Sequence, residues 1–171
     1  MSAIYVCPLS RLAQTVHRTG ARHVVTLINQ ETLVDRPESV EVGNHLFLGM
    51  HDISDPADGM VCPNEGHVET LLSFVERWDR QAPMVVHCYA GISRSTAAAF
   101  TALCAIRSDL DEREIAGRIR ARSPEATPNA RIVEMADAIL GRKGRMVEAA
   151  AHIGRGIFAY EGTIFALQLD E

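Results

Sequence analysis

The spacing of apolar residues changes several times along the chain, and each change marks a boundary. Residues 3–7 (AIYVC) form an apolar run that predicts a first strand. Pro8 suits the first turn of a helix, with Leu9, Leu12, Ala13 and Val16 on one face and Gly20 as its stop. His23 to Ile28 is β-branched and apolar, the signature of a buried strand. Residues 29–44 are polar, contain Pro37 and Gly43, and read as a connection with room for one helical turn. His45 to Met50 is the third strand. From Asp52 to Glu65 the pairs Asp55-Pro56, Asp58-Gly59 and Pro63-Asn64 predict a long loop. A loop of that length inside a compact domain usually serves function.

Val68, Leu71, Leu72, Val75 and Trp78 recur at spacings of three and four, predicting an amphipathic helix that ends near Gln81. A short apolar run, Met84 to Val86, reads as the next strand. Residues 95–106 are apolar on nearly every side and predict a helix at the centre of the fold. Asp111 is the cap of another, with Glu114 placed to close a capping box and Leu110 to staple onto Ile115. Thr127-Pro128 opens a helix with Ile132, Met135, Ala136, Ile139 and Leu140 inward and Gly141 at its end. A short helix is expected around Arg145 to Ile153. The tail, IFAYEGTIFALQL, has two apolar runs about Glu161-Gly162 and predicts a β-hairpin. Strands alternating with helices, followed by a run of helices, imply an α/β fold with a mainly parallel sheet flanked by helices.

Composition narrows the class. At 171 residues the chain suits a single domain, 1–171, with room for a proper core. Apolar residues make up 47% and charged residues 23%, the balance of a globular protein rather than a disordered one. A net charge of −5 argues against nucleic-acid binding, which needs a basic footprint. Lys143 is the single lysine among 17 basic residues, and we read this arginine bias as genome composition. No segment approaches the ~20 apolar residues of a membrane span. The N-terminus lacks the basic head and long apolar run of a signal peptide. Cys7, Cys62, Cys88 and Cys104 show no paired metal-type spacing, and a reducing cytoplasm suits them.

The candidate chemistry lies in Val85 to Ser95, reading VVHCYAGISRS. A cysteine at a strand end, a tight turn with glycine and an arginine at a helix start form an anion site. Backbone N–H groups of such a turn and of the helix N-terminus point inward, favouring thiolate at Cys88 and cradling a tetrahedral oxyanion. Arg94 adds a two-pronged fork for phosphate oxygens. A buried core cysteine with an unrelated surface arginine would leave Gly91 and the strand–turn–helix context without a reason.

His87-Cys88, five residues, then Arg94-Ser95, with Gly91 in register, resembles the signature of the cysteine-dependent protein tyrosine phosphatases. The element order resembles their compact dual-specificity branch over residues 3–141. Met50-His51-Asp52 at a strand end and Pro128-Asn129 opening a late helix add to the likeness. Residues 142–171 lie outside it. The resemblance implies that Cys88 attacks phosphorus, forming a phosphocysteine. Arg94 and the N–H groups of Tyr89, Ala90, Gly91, Ile92, Ser93 and Arg94 would hold the phosphate. Ser95 would donate to the sulfur and improve it as a leaving group, a role compatible with N-capping. His87 would point away from the phosphate and brace the loop. Asn129 resembles an asparagine that holds the site together, with an ordinary first-turn role as the alternative.

The leaving oxygen needs a proton, which this family takes from an upstream aspartate. Asp52 follows a strand directly but lies 36 residues before Cys88; Asp55 and Asp58 lie 33 and 30 before it. Those two precede Pro and Gly, where aspartate commonly builds turns. Asp52 is the choice, with Asp55 next. Cys62, in the same loop, is a small buried side chain or a protective disulfide partner for Cys88. Cys7 and Cys104 are core residues by their apolar faces. His45 and His51 lack a third ligand, so no metal and no cofactor is expected.

The reading is a metal-free phosphate monoester hydrolase, acting on phosphotyrosyl proteins with phosphoserine or phosphothreonine as further substrates. The runner-up is a phosphoinositide or inositol-phosphate phosphatase of the same superfamily. Those enzymes often carry loop lysines, whereas Tyr89 to Ser93 are uncharged, which favours one phosphate. A non-catalytic phospho-binding module would usually lack the cysteine, the arginine or the acid. Sulfur or arsenate transfer is disfavoured by the His87-Cys88 and Arg94-Ser95 pairs. A small phosphate monoester or phosphorylated protein is the expected partner, with no nucleic acid or membrane, and a monomer is favoured.

Overall fold

A computed structural model of the chain describes residues 2–171. Its strands are β1 (Ala3–Pro8), β2 (His23–Ile28), β3 (His45–Gly49), β4 (Met84–Cys88) and β5 (Phe165–Gln168). They form one sheet in the order β3-β2-β4-β1-β5. The first four run parallel, and β5 joins the edge of β1 antiparallel. The helices are α1 (Leu12–Thr19), α2 (Glu65–Arg77), α3 (Arg94–Ile106), α4 (Glu112–Arg122), α5 (Ala130–Ile139) and α6 (Arg145–Ile153). The expected α/β fold with a mainly parallel sheet is the one observed.

Alternation along the strands divides the core. Successive side chains of a strand point to opposite faces. Ile4, Val6, Val25, Leu27, Met84 and Val86 face a large cluster shared with α2 to α6. Cys7, Val24 and Val85 face a smaller cluster with Leu12 and Val16 of α1. α3 runs through the large cluster with 11 of its residues buried, which explains a sequence apolar on all sides. Met146 and Ala149 of α6 and Phe165 and Leu167 of β5 belong to that same cluster.

Several local expectations are corrected. Pro8 ends β1, and a 3-10 turn (Leu9–Arg11) precedes α1. That tighter turn changes the helical phase, so Thr15 is buried with Leu12 and Val16 while Ala13 is exposed. α2 stops at Arg77, where Trp78 turns extended and its indole N–H donates to the Ala82 carbonyl at 3.0 Å. Asp111 caps α4 through the Arg113 N–H at 2.7 Å, but Glu114 takes Arg118 at 2.6 Å instead of closing a box. α5 begins after Asn129, two residues later than Thr127-Pro128 suggested. The tail forms no hairpin: only Phe165–Gln168 is a strand, and its partner is β1. Residues 156–163 instead give N–H groups to the 124–127 turn and to the loop after β4.

Candidate active site

The loop from Cys88 to Arg94 joins the C-terminal end of β4 to the N-terminus of α3. Its conformation is held from outside, through its carbonyls. Tyr89 C=O accepts from Leu9 N–H at 3.1 Å, Ala90 C=O from Gly162 N–H at 2.7 Å, and Ile92 C=O from Thr127 N–H at 2.9 Å. Ser93 C=O accepts from Asn129 N–H at 3.2 Å and Ala97 N–H at 3.0 Å. A peptide whose C=O points outward turns its N–H toward the centre, the arrangement that makes a concave anion site. Gly91 has φ +72°, and a Cβ there would stand 2.7 Å from the Pro8 nitrogen. Glycine is required both for that backbone angle and for the close approach to β1.

At the centre sits Cys88, 2% exposed. Its Sγ accepts from the Gly91 N–H at 3.2 Å and lies 3.1 Å from Ser95 Oγ. Ser95 is inside α3 rather than capping it: Ser93 holds the N-cap position, without a side-chain capping bond. His87 points to the opposite face, as its neighbouring place in the strand requires. There its Nε2 lies 2.7 Å from Thr26 Oγ1, which also meets His45 Nε2 at 2.8 Å. Burial pushes the His87 pKa down to about 4, against a smaller upward pull from the Cys88 backbone. His87 is therefore a neutral brace between β4 and β2.

Arg94 is oriented by two tethers on one nitrogen. Nη1 donates to the Met50 carbonyl at 2.7 Å and to Asn29 Oδ1 at 3.0 Å. Its Nε is buried and has no partner among the described residues. An unpartnered donor on a 6% exposed guanidinium is costly unless an anion completes it. The residues present fit a phosphate group at this position.

Asp52 lies against the loop. One carboxylate oxygen, Oδ1, accepts from Ser93 Oγ at 2.7 Å and from Asn129 Nδ2 at 2.9 Å. Asn129 also caps α5, its Oδ1 accepting from Ile132 N–H at 3.1 Å, so one side chain ties the helix to the aspartate. The loop after Asp52 is pinched shut by His51, whose N–H donates to Val61 C=O at 2.8 Å and whose Nδ1 accepts from Val61 N–H at 2.9 Å. Arg131 of α5 adds an Nε bond to Pro63 C=O at 2.6 Å. Asp55 and Asp58 lie exposed along this loop. Cys62 is a free, partly buried thiol; Cys7 and Cys104 are free and buried.

The structure thus brings together Cys88, Arg94, Ser95, Asp52, Asn129 and the loop from Tyr89 to Ser93. Sequence reasoning missed Asn29, read as part of a polar connection over residues 29–44, and Gly162, read as a hairpin turn in the tail. Asn29 follows directly after an apolar strand, as Asp52 nearly does, and that shared placement was the available signal.

The protein-tyrosine phosphatase family model matches residues 51–133, from the end of β3 into α5. Solved structures of like fold include the Cydia pomonella PTP-2 phosphatase, 18% identical with a TM-score of 0.62 over 79% of this chain and 84% of that one. DUSP15 is 17% identical, with a TM-score of 0.63 over 89% of this chain and 94% of its own. PTPMT1, solved in complex with PI(5)P, is 16% identical, with a TM-score of 0.59 over 88% of this chain and 91% of its own. Among curated protein sequences no significant match is found. The family match spans the signature, and the sheet-and-helix order is the one these phosphatase structures share, so the chain is protein-tyrosine-phosphatase-like in signature and fold. Its fold is that of the compact dual-specificity phosphatases DUSP15 and DUSP28, the latter 17% identical with a TM-score of 0.61 over 81% of this chain and 94% of its own.

Proposed function

We propose that the protein, acting as one phosphatase domain over residues 1–171, hydrolyses phosphate monoesters through a phosphocysteine on Cys88. The carrying observation is the focus on one sulfur. Gly91 N–H at 3.2 Å and Ser95 Oγ at 3.1 Å address Cys88 Sγ, with a buried Arg94 Nε left unpartnered beside the same loop. In the first step the thiolate forms an S–P bond as the P–O bond breaks, and Asp52 gives its proton to the departing oxygen. In the second, water attacks phosphorus, Asp52 accepts its proton, and Ser95 donates to the sulfur as the S–P bond breaks. Arg94 and the inward N–H groups carry the charge on the equatorial oxygens in both transition states.

The uncharged loop side chains support phosphotyrosyl proteins as substrates, with phosphoserine and phosphothreonine as further candidates. The likeness to PTPMT1, whose complex contains PI(5)P, supports a second reading as a phosphoinositide phosphatase. The free thiols support a reducing, cytoplasmic setting. Among the described residues no helix is long and apolar enough to cross a membrane.

The test is hydrolysis of an aryl phosphate in a chelator, with and without vanadate, followed by acid quench to trap a phosphorylated protein. Wild type should turn over without metal and yield an acid-trapped phosphocysteine. Cys88→Ser should bind phosphate or vanadate and release no product, since the N–H cradle remains and the hydroxyl is a poor nucleophile. Substantial turnover by Cys88→Ser removes Cys88 from the mechanism. A phosphotyrosyl peptide and a phosphoinositide in parallel distinguish the two substrate readings.

A further inference from the structure

The segment after α6 crosses the phosphate loop, and one peptide group links the two. Gly162 N–H donates to Ala90 C=O at 2.7 Å. The same Ala90–Gly91 peptide carries the Gly91 N–H that donates to Cys88 Sγ at 3.2 Å. A hydrogen bond accepted at a peptide oxygen polarises the group and strengthens the bond that its N–H donates. The contact is also close: a Cβ on Gly162 would stand 2.5 Å from Gly91 O and 3.3 Å from Ile92 Cγ1. Glycine is the one residue this crossing accommodates without displacement.

The crossing is anchored on either side. Gly156 N–H donates to Thr127 Oγ1 at 3.0 Å and Ile157 N–H to Pro124 C=O at 3.1 Å. Thr163 N–H donates to Glu125 Oε1, and that carboxylate is 5% exposed. Beyond Thr163 the chain enters β5, fixed to β1. Thr127 N–H in turn holds Ile92 C=O at 2.9 Å, so the 124–127 turn and the tail brace the loop as one unit.

We infer that Gly162 is a positioning residue of the active site: through the Ala90–Gly91 peptide, the C-terminal strap aims the N–H that stabilises the Cys88 thiolate. This rests on the reading of Cys88 as the nucleophile. The backbone of Gly156, Ile157, Gly162 and Thr163 thereby supports the phosphate loop, while the exposed side chains of the same segment take no part.

The test uses the full chain in a Cys62→Ser background, leaving Cys88 beside the buried thiols of Cys7 and Cys104. The rate of alkylation by iodoacetamide is followed against pH. Gly162→Ala should move the alkylation midpoint upward by ~1 pH unit, about a tenfold loss of thiolate at a given pH below it. The alkylation rate well above the midpoint should stay at the wild-type value. Hydrolysis of an aryl phosphate at neutral pH should fall in kcat with KM little changed. Phe158→Ala, in the same segment with its side chain 80% exposed, should leave the midpoint in place. Arg94, Asp52, Cys7 and His87, the charged or titratable groups around Cys88, are the same in every variant, so a shift reports the peptide group. If Gly162→Ala does not fold, Glu125→Ala releases Thr163 without a clash and should shift the midpoint in the same direction. A wild-type midpoint in folded Gly162→Ala, or in Glu125→Ala where that is the variant measured, overturns the inference. Because alkylation needs no turnover, a protein that fails to hydrolyse phosphate esters would sink the proposed function while leaving this measurement readable.

Discussion

Replacing Asp52 by asparagine separates proton delivery from geometry unusually cleanly in this site. Both hydrogen bonds that hold the carboxylate, from Ser93 Oγ at 2.7 Å and Asn129 Nδ2 at 2.9 Å, fall on the same oxygen. An asparagine with its carbonyl in that position keeps both. The substitution changes the outer atom alone, from an oxygen that can carry a proton to an amide nitrogen that cannot act as an acid. If that oxygen serves the leaving group, hydrolysis of a phosphotyrosyl peptide should fall roughly 10²–10⁴-fold, about 3–5 kcal/mol on the barrier.

The loss should depend on how badly the leaving group needs the proton. The assay is kcat/KM across aryl phosphates of graded leaving-group acidity, for wild type, Asp52→Asn and Asp55→Asn. The wild-type series should be nearly flat, and the Asp52→Asn series should fall steeply as the phenol becomes less acidic. Activated aryl phosphates should be slowed least, because that oxygen departs as an anion unaided. Asp55→Asn should follow wild type. If Asp55→Asn shows the steep series and Asp52→Asn does not, the hydrogen bonds to Ser93 and Asn129 hold a structural carboxylate and the acid lies further along the loop.

Arg94→Lys should lose most activity although the charge is retained, because a lysine cannot hold Met50 C=O and Asn29 on one side and two phosphate oxygens on the other; wild-type kinetics would refute this. Acid should unfold the protein early. The pKa of His87 is pushed from 6.5 to about 4 in the fold, so the unfolded chain takes up a proton there that the native state refuses. Its contribution is fully present above 6.5 and should be lost toward pH 4, by up to about 3 kcal/mol, as read from urea midpoints against pH. His87→Gln should flatten that dependence, and an unchanged slope would count against it. Glu112→Gln should destabilise by about 3–5 kcal/mol in the same titration, because it leaves Arg142, 8% exposed and 3.0 Å from Glu112, with a buried charge unmatched. Adding Arg142→Met should restore part of the loss, and additive losses would show that the pair is not coupled.

How much of this was legible depended on whether the information was local. The parallel strands and α3 were readable because runs such as HVVTLI and STAAAF carry their burial in composition. The phosphate loop was readable because its cysteine, glycine, arginine and serine stand within eight residues, where spacing alone restricts geometry. That His87 faces away from the phosphate was implied by the resemblance, and its place next to Cys88 in β4 supplies the physical reason. The phase of α1 was not legible, because nothing local distinguishes Pro8 closing a strand from Pro8 opening a helix. Glu114 was misread for a similar reason: Arg118, one turn on, competes for it with the cap and wins.

The tail marks the limit of that kind of reading. Apolar residues at 157, 158 and 160 suggested the first arm of a hairpin, yet Ile157, Phe158 and Tyr160 are exposed, the last at 87%. What holds this segment is its backbone, through N–H groups given to Ala90, Pro124, Thr127 and Glu125. Backbone donors are common to every residue except proline, so such bonds leave almost no trace in side-chain pattern. The trace they do leave is glycine at the closest crossings. Gly156 and Gly162 each meet backbone so closely that a Cβ would fall within 2.5 Å of it, at Glu125 and Gly91 respectively. In a sequence these read as ordinary turn residues. The close packing that makes them necessary comes from the sheet edge, where β5 pairs with β1 and draws the preceding chain across the loop after β4. The same edge pairing that ends the tail therefore also determines where Gly162 lies, and the register between β5 and β1 sets the position of a donor 2.7 Å from Ala90 C=O.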